Sequence, residues 1–454
     1  MERINGLVWG IPTLLGIIGV GLYIMFRSGF VQLRFFPKAL RGFISSFRSD
    51  GEESSFQALC TALAATVGTG NIAGVAGAIS IGGPGSIFWM WVCAILGMGV
   101  KLAEATLSVQ YRKEDSRGNI LGGPMYMIEL GMDRKWHWLS ICYCFFGAVA
   151  AFGVGNATQI NAVVDAGKMA LNCFDINSGL CFELSIAIIF SALTATSLLG
   201  GIKRIGKIAS FLVPVASCAY IVMGMGALVF HYRQIIPAFE MILLGAFSPK
   251  AMTGGAIGSV FIALRVGASR GTFTNEAGMG TAAIAHGTSI VSHPVEQGLM
   301  GLVEVFLDTI VICTITALVI LTSGISIPYG VDEGAVLTTK AFACTYGQWV
   351  SVPMAAFLSC FAFATMIGWG FYGLRCVQYL LGDGAWKPFV FLQAAVCTIS
   401  VLLETGTVWL LAELMNGLMA IPNLICLYSL TPVLLQLIRT YKKEERQKKT
   451  LFKV

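Results

Sequence analysis

The 454-residue chain is short of charged side chains. Aspartate, glutamate, lysine and arginine make up 12% of its residues, whereas a soluble domain carries roughly 25%. Histidine occurs 4 times and never in an HExxH spacing, and no Ser/His/Asp grouping stands out. The 13 cysteines show no CxxC pair and lie mostly in apolar runs, as small buried hydrophobes do. These absences argue against a soluble protein and against a membrane-embedded enzyme.

Apolar residues are abundant instead. They make up 56% of the chain, and the mean hydropathy is +0.77. A spanning helix needs about 20 apolar residues. Eleven segments are long enough, near residues 7–26, 56–81, 86–108, 138–163, 180–200, 208–230, 257–290, 295–323, 351–381, 389–404 and 408–438. The sequence therefore predicts an all-α polytopic membrane protein with about 11 transmembrane helices.

The net charge of +6 is distributed unevenly along the chain. Basic residues cluster in the connections after the first, third and fifth segments and in the tail, which holds Lys442, Lys443 and Arg446. Cytoplasmic loops carry such an excess of lysine and arginine. We therefore expect the N-terminus outside and the C-terminus in the cytoplasm of the cell (inner) membrane. The basic excess indicates topology and gives no reason to expect a nucleic-acid partner.

The second apolar segment contains residues that interrupt a helix. Residues 66–76 read TVGTGNIAGVA, and their glycines, threonines and asparagine are poor helix formers. The sequence NIAG at 71–74 returns as NEAG at 275–278, inside the seventh segment. Unpaired backbone is tolerated in a membrane only where protein or a water-filled cavity satisfies it. Paired interrupted segments in corresponding halves point to the binding site of a secondary transporter.

The two interruptions divide the chain. Each opens a set of five segments, and because five is odd the two sets must run through the membrane in opposite directions. We expect an N-terminal helix with a basic connection, two inverted repeats with one broken helix each, and a basic cytoplasmic tail, at residues 1–55, 56–235, 236–438 and 439–454.

Several ordered blocks carry a resemblance to a known family. They read GTGN at 68–71, GGPGSIFWMW at 82–91, SRGTFTNEAG at 269–278, GWGFYG at 368–373 and NGLMAIPN at 416–423. Together they resemble the alanine or glycine:cation symporter family, the sodium:alanine symporters. The resemblance implies a leucine-transporter-like fold, in which one helix precedes a ten-helix core. It also implies import of alanine, D-alanine or glycine coupled to sodium, with no further cofactor.

The resemblance and the breaks together give a substrate site. A helix N-terminus at the first break offers amides to a carboxylate, and carbonyls at the second break can accept from an ammonium group. Aromatic residues would wall the pocket and limit side-chain size. The expected substrate-binding residues are Gly68, Thr69, Gly70, Asn71, Gln159, Phe273, Thr274, Asn275 and Trp369.

The fold implied by the resemblance also suggests two sodium positions. The first uses the carbonyls of Ala64 and Val67 with the Thr365 hydroxyl. The second, less favoured, uses the side chains of Thr66, Asn71 and Thr274. A simpler explanation for each threonine is a hydroxyl bonded to its own helix, and for Gln159 a polar contact between helices.

Charged residues inside the spans require an explanation because they are costly there. They are Glu104, Arg265, Arg270, Glu276, Glu304 and Asp308. We expect structural pairing, with Arg270 bound to Glu276 or Glu304, and gating is the alternative.

Other membrane functions stay open to different degrees. A proton-coupled amino-acid transporter and a transporter-like amino-acid receptor are the main alternatives. A channel would need a continuous polar pore or an oligomeric filter, and the five-plus-five organisation disfavours it. The expected partners are a small neutral amino acid, sodium and membrane lipid. The sequence does not predict an oligomeric state.

Overall fold

The computed structural model describes residues 11–46, 55–115, 118–248, 250, 253, 259–403 and 405–451. The start of the first predicted segment, the end of the basic connection, the start of the seventh segment and the last three residues of the tail lie outside the described residues.

The first half of the chain is a series of helices joined by short connections. Its α-helices are α1 (Ile11–Ser28), α2 (Val31–Arg34), α3 (Phe36–Ser46), α4 (Ser55–Thr66), α5 (Ala73–Gly82), α6 (Gly85–Gln110), α7 (Pro124–Gly131), α8 (Trp138–Phe152), α9 (Thr158–Asn172), α10 (Leu180–Leu199), α11 (Gly201–Phe230) and α12 (Ile235–Phe247). Short 3₁₀ turns lie at Thr69–Asn71, Arg134–Trp136 and Tyr232–Gln234, and a π-helical turn at Gly153–Ala157 joins α8 to α9. Strands β1 (Lys113–Glu114) and β2 (Ile120–Leu121) form a small antiparallel hairpin.

The second half continues in the same way. Its α-helices are α13 (Val260–Asn275), α14 (Thr281–His286), α15 (Pro294–Val305), α16 (Thr314–Thr322), α17 (Ala335–Tyr346), α18 (Ser351–Leu381), α19 (Trp386–Ser400) and α20 (Thr405–Leu451). A π-helical turn at Phe306–Cys313 joins α15 to α16, and 3₁₀ turns lie at Gln348–Val350 and Asp383–Ala385.

Seven helical stretches of the described chain are long and apolar enough to cross a membrane. They are Gly85–Gln110, Arg134–Asn172, Leu180–Leu199, Gly201–Phe230, Pro294–Thr322, Gln348–Leu381 and Leu410–Gln447. Several other predicted segments form shorter helices, and both interrupted segments are pairs of such helices. The polytopic helical class is confirmed, whereas the count of eleven stays a prediction.

Both predicted interruptions are present. In the first, α4 ends at Thr66 and α5 begins at Ala73. In the second, α13 ends at Asn275 and α14 begins at Thr281, with φ values of 54° at Glu276, 93° at Gly278 and 78° at Gly280. Positive φ favours glycine, which has no Cβ atom to clash with the backbone. Gly278 and Gly280 therefore adopt this conformation without strain, whereas Glu276, where the chain leaves α13, holds it with a side chain.

The half-helices lie inside the bundle. Helices α5 and α14 are almost wholly buried. Helix α6 packs along α15 and α13, and α18 packs along α8, α9 and α4. The two breaks are thereby surrounded by continuous helices, and polar side chains on those helices can reach them.

Candidate functional site

The first break is held open by Asn71. The amide of Gly68 donates to Asn71 Oδ1 at 2.9 Å, which caps the 3₁₀ turn and leaves Gly68 extended, with φ −142° and ψ −154°. On its other side Asn71 Nδ2 donates to Asp308, at 2.7 Å to Oδ1 and 3.1 Å to the backbone carbonyl. The predicted site residue therefore shapes the break and joins it to the π-helical turn before α16.

The two breaks meet at Gly70 and Thr274. A Cβ atom added to Gly70 would lie 3.4 Å from Thr274 Oγ1 and 3.6 Å from Thr274 Cα, and one added to Gly74 would lie 3.9 Å from the same hydroxyl. The glycines at 70 and 74 thus let the end of α13 lie against the backbone of the first break. The structure brings together the two stretches that the sequence paired only by their similarity.

Helix α18 reaches the end of α4 at Thr365. A Cβ atom added to Gly68 would lie 2.7 Å from Thr365 Oγ1, and one added to Gly368 would lie 3.0 Å from the backbone nitrogen of Ala65. Thr365 is buried, and within the described residues its hydroxyl has no hydrogen-bond partner. Five other buried hydroxyls of the described residues share this property, those of Thr106, Tyr143, Thr194, Ser217 and Tyr372, so it is the position of Thr365 that sets it apart. It faces the last turn of α4, where helical carbonyls lack partners further along the chain.

A cavity of about 460 Å³ adjoins the first break. Thr69, Gly70 and Phe273 are the predicted site residues that line it. Gln159 is buried just behind, where its Oε1 accepts a 3.3 Å hydrogen bond from the Thr69 hydroxyl and its Nε2 donates to the Val154 carbonyl at 3.0 Å. The cavity is large enough for a small amino acid. At Gly70 and Gly74 its lining is backbone without a side chain.

Trp369 lies deeper than the cavity lining. It is fully buried, and its indole nitrogen donates to Glu276 Oε1 at 2.7 Å. A Cβ atom added to Gly155 would overlap the Cβ atom of Trp369, so the tryptophan packs directly on the π-helical turn between α8 and α9. Trp369 therefore ties α18 to the second break.

The charged residues pair differently from the expectation. Arg270 bonds Asp332, in the loop before α17, at 3.1 Å, and both residues line the cavity. The predicted pairing of Arg270 with Glu276 or Glu304 is wrong because that loop folds over the cavity and supplies a nearer carboxylate. Glu304 instead lies 3.1 Å from Lys101 Nζ, with both side chains fully buried.

Comparison with known proteins identifies a family that covers nearly the whole chain. A model of the sodium:alanine symporter family matches residues 1–453. The chain is 40% identical to the sodium/alanine symporter AgcS of Methanococcus maripaludis, over 98% of this chain and 97% of that protein. The chain belongs to the sodium:alanine symporter family. It is also 34% identical to the probable sodium/glutamine symporter GlnT of Bacillus subtilis, over 97% of this chain and 90% of that protein.

A solved structure of another protein has a similar fold. MhsT in complex with L-phenylalanine superposes with a TM-score of 0.60 at 13% identity, covering 86% of this chain and 99% of that one. The leucine-transporter-like fold is thereby confirmed. Family and relatives together make the chain a multi-pass membrane transporter of alanine-like substrates and not an enzyme.

The residues of the second sodium set are all engaged in hydrogen bonds in this structure. The Thr66 hydroxyl donates to the Ala62 carbonyl at 3.3 Å, and the Thr274 hydroxyl donates to the Arg270 carbonyl at 2.7 Å. These are the bonds of the simpler explanation, a hydroxyl bonded to its own helix. The set has no hydroxyl without a partner, unlike the first set.

The sequence interpretation missed several residues that hold the breaks. Glu104 Oε1 accepts from the Gly278 and Gly280 amides at 3.0 Å each and from Asn423 Nδ2 at 2.7 Å. Thr309 accepts a 3.2 Å hydrogen bond from Asn275 Nδ2. The sequence did mark Glu104, because an acidic residue inside a span is costly and needs a role. Nothing in the sequence marks Thr309, a neutral residue that follows Asp308.

Proposed function

We propose that this chain is a secondary active symporter that imports alanine, D-alanine or glycine with sodium by alternating access. The observation that carries the proposal is the meeting of the two breaks, where Gly70 lies against Thr274 and the Thr365 hydroxyl faces Gly68. This arrangement combines exposed backbone with a cavity, which is what recognition of a small zwitterion inside a membrane requires.

The substrate's two charges have complementary partners at the breaks. Helix α5 begins at Ala73, so its N-terminal amides and positive dipole end favour a carboxylate near residues 68–71. Helix α13 ends at Asn275, so carbonyls of Phe273, Thr274 and Asn275 lie in its last turn and can accept from an ammonium group. Gln159 supports the site through its bond to Thr69.

Sodium coupling rests on the oxygen atoms around Thr365. Its hydroxyl is buried without a partner in the described structure, and a sodium ion held also by the carbonyls of Ala64 and Val67 would supply that partner. At the second position, the Thr66 and Thr274 hydroxyls donate to their own helices and Asn71 Oδ1 accepts from the Gly68 amide, so each oxygen keeps a lone pair for the ion.

Size selection and topology complete the proposal. Phe273 lines the cavity and packs on the core cluster that holds Trp369, so Trp369, fixed against Gly155, would keep this wall from moving outward in a packed bundle. The inverted repeats at 56–235 and 236–438 would place the two breaks in opposite orientations. The N-terminus would lie outside and the C-terminus in the cytoplasm, as the basic connections indicate.

Uptake by purified protein in liposomes tests the function. Radiolabelled alanine should accumulate under an inward sodium gradient, and Gly70→Leu should abolish accumulation. Equal uptake with choline in place of sodium, under a proton gradient alone, would support the proton-coupled alternative. Alanine binding without counterflow would support the receptor alternative. A competition panel of glycine, alanine, glutamine, leucine and phenylalanine defines the substrate range.

A further inference from the structure

The wall of the cavity beside the first break contains an amide side chain, that of Asn161 on α9. This residue is 7% exposed, and its Nδ2 atom is buried without a hydrogen-bond partner. Other buried polar atoms lack partners too, but among the described residues Asn161 is the one that also lines this cavity. A buried polar group without a partner costs free energy, and a partner can reach this side chain from the cavity.

The remaining polar side chains of this wall are engaged in the described structure. They take part in hydrogen bonds, ion pairs or other electrostatic interactions, and they are Thr69, Thr158, Asp165, Arg270, Asp332, Glu333 and Glu413. Thr158 is the closest comparison, since it lies one turn before Asn161 on α9 and its hydroxyl donates to the Val154 carbonyl at 2.9 Å. A polar side chain within a span is commonly explained by a bond to a neighbouring helix. Asn161 forms no such bond to a described residue, so a ligand is the better explanation.

Asn161 lies close to the first break along α9. Gln159, two residues earlier, accepts the hydrogen bond of the Thr69 hydroxyl at 3.3 Å, and two helical residues add about 3 Å along the helix axis. Gly70 and Phe273, from the two stretches proposed to hold the charges of the substrate, line the same cavity as Asn161. A substrate held by its carboxylate and ammonium groups at the breaks therefore shares this cavity with the Asn161 amide, and its side chain is the part left to meet that amide.

We propose that Asn161 recognises a hydroxyl on the side chain of the substrate, so that serine is a substrate of this protein alongside alanine. A hydroxyl both donates and accepts, so it can bond to either end of the amide. A methyl group in the same place leaves the amide unpaired, and a site that hydrogen-bonds a substrate hydroxyl discriminates against the analogue that lacks it. This inference rests on the proposed transport of small neutral amino acids and adds the side-chain chemistry that the cavity selects.

Calorimetric titration of the purified protein, in sodium-containing buffer, with L-serine and with L-2-aminobutyrate tests the inference. The two ligands are nearly equal in size, and one carries a hydroxyl where the other carries a methyl group. The wild-type protein should bind serine roughly two- to tenfold more tightly. Asn161→Leu replaces the amide with an apolar group of similar size, and should bind 2-aminobutyrate at least as tightly as serine. Thr158→Val is the matched control in the same wall, and should keep the wild-type ratio of the two affinities within about twofold, because the hydroxyl that it removes is bonded to its own chain.

Two results would overturn the inference. One is a wild-type protein that binds serine no more tightly than 2-aminobutyrate, or binds neither, and the other is an Asn161→Leu protein that keeps the wild-type ratio. If Asn161→Leu does not elute as a folded monodisperse protein, Asn161→Ala replaces it with the same expected outcomes. Failure here differs from failure of the proposed function, because wild-type alanine uptake driven by a sodium gradient would persist in the first case and be absent in the second.

Discussion

Replacing Thr365 by valine separates an ion ligand from a structural hydroxyl, because the two roles predict opposite effects. The hydroxyl is buried, has no partner among the described residues, and faces Gly68 at the end of α4. An unsatisfied buried polar group costs about 1–3 kcal/mol. Without sodium, Thr365→Val should therefore unfold with an unchanged or higher free energy.

With sodium the same substitution should be harmful. A hydrogen-bond-like contact to a charged group contributes roughly 1.5–3 kcal/mol, so its loss should raise the sodium concentration for half-maximal alanine uptake by roughly 10- to 150-fold. Thermal unfolding with and without sodium, together with uptake titrations, measures both effects. Thr365→Ser should retain sodium dependence.

Thr431→Val is the matched control. Thr431 is equally buried on α20, and its hydroxyl donates to the Leu427 carbonyl of its own helix at 2.7 Å. This substitution should leave the sodium dependence unchanged. A wild-type sodium titration for Thr365→Val would refute the reasoning, since the unpartnered hydroxyl would then have no part in holding the ion.

Substitutions at three further positions test the cavity and its surroundings. Gly70→Leu should abolish alanine binding while size exclusion still shows folded protein. Gly70→Ala should still bind alanine, because its Cβ atom would lie 3.4 Å from Thr274 Oγ1, an ordinary contact distance. Unchanged alanine affinity in Gly70→Leu would show that the first break is not part of the site. Trp369→Ala should lose about 3–5 kcal/mol of stability and should allow leucine to compete with alanine for uptake. If leucine already inhibits alanine uptake by the wild-type protein as strongly as unlabelled alanine does, Trp369 does not limit substrate size. Asp332→Asn should change alanine uptake by less than about fivefold, because a partly exposed ion pair contributes about 0–1 kcal/mol. A loss of uptake above about fiftyfold would show that the ion pair between Arg270 and Asp332 is essential.

The positions of the breaks follow from local chemistry. Glycine, threonine and asparagine disfavour helix wherever they occur together in an apolar segment. The interruptions after Thr66 and Asn275 could therefore be located from residue types alone, and the repeated NxAG sequence paired them.

The partners of the charged residues could not be located in this way. Arg270 bonds Asp332, which is 62 residues away and outside any predicted span. Only the folding of the loop before α17 over α5 brings it close. Pairing within the spans was the reasonable expectation, but sequence separation carries no information about which loop covers the site.

The roles of the polar residues at the breaks could not be predicted from the sequence either. Asn71 was predicted as a ligand, and in the structure both ends of its side-chain amide hold the break. Thr365 was predicted at the first sodium position and Thr66 and Thr274 at the second, and of these three hydroxyls that of Thr365 is left without a partner in the described residues. Threonines in helices look alike in sequence. The difference depends on whether a neighbouring helix ends opposite the hydroxyl, which is a property of packing.

The most direct test of the account is the alanine gradient at which net flux stops. Liposomes containing the purified protein are given a fixed sodium gradient and a series of opposing alanine gradients, with no pH difference. Because coupled transport links the two gradients thermodynamically, we predict that the zero-flux alanine ratio rises with each increase in the imposed sodium ratio. A zero-flux ratio that stays at equal alanine concentrations whatever the sodium gradient, or that follows an imposed pH gradient instead, would contradict sodium-coupled symport.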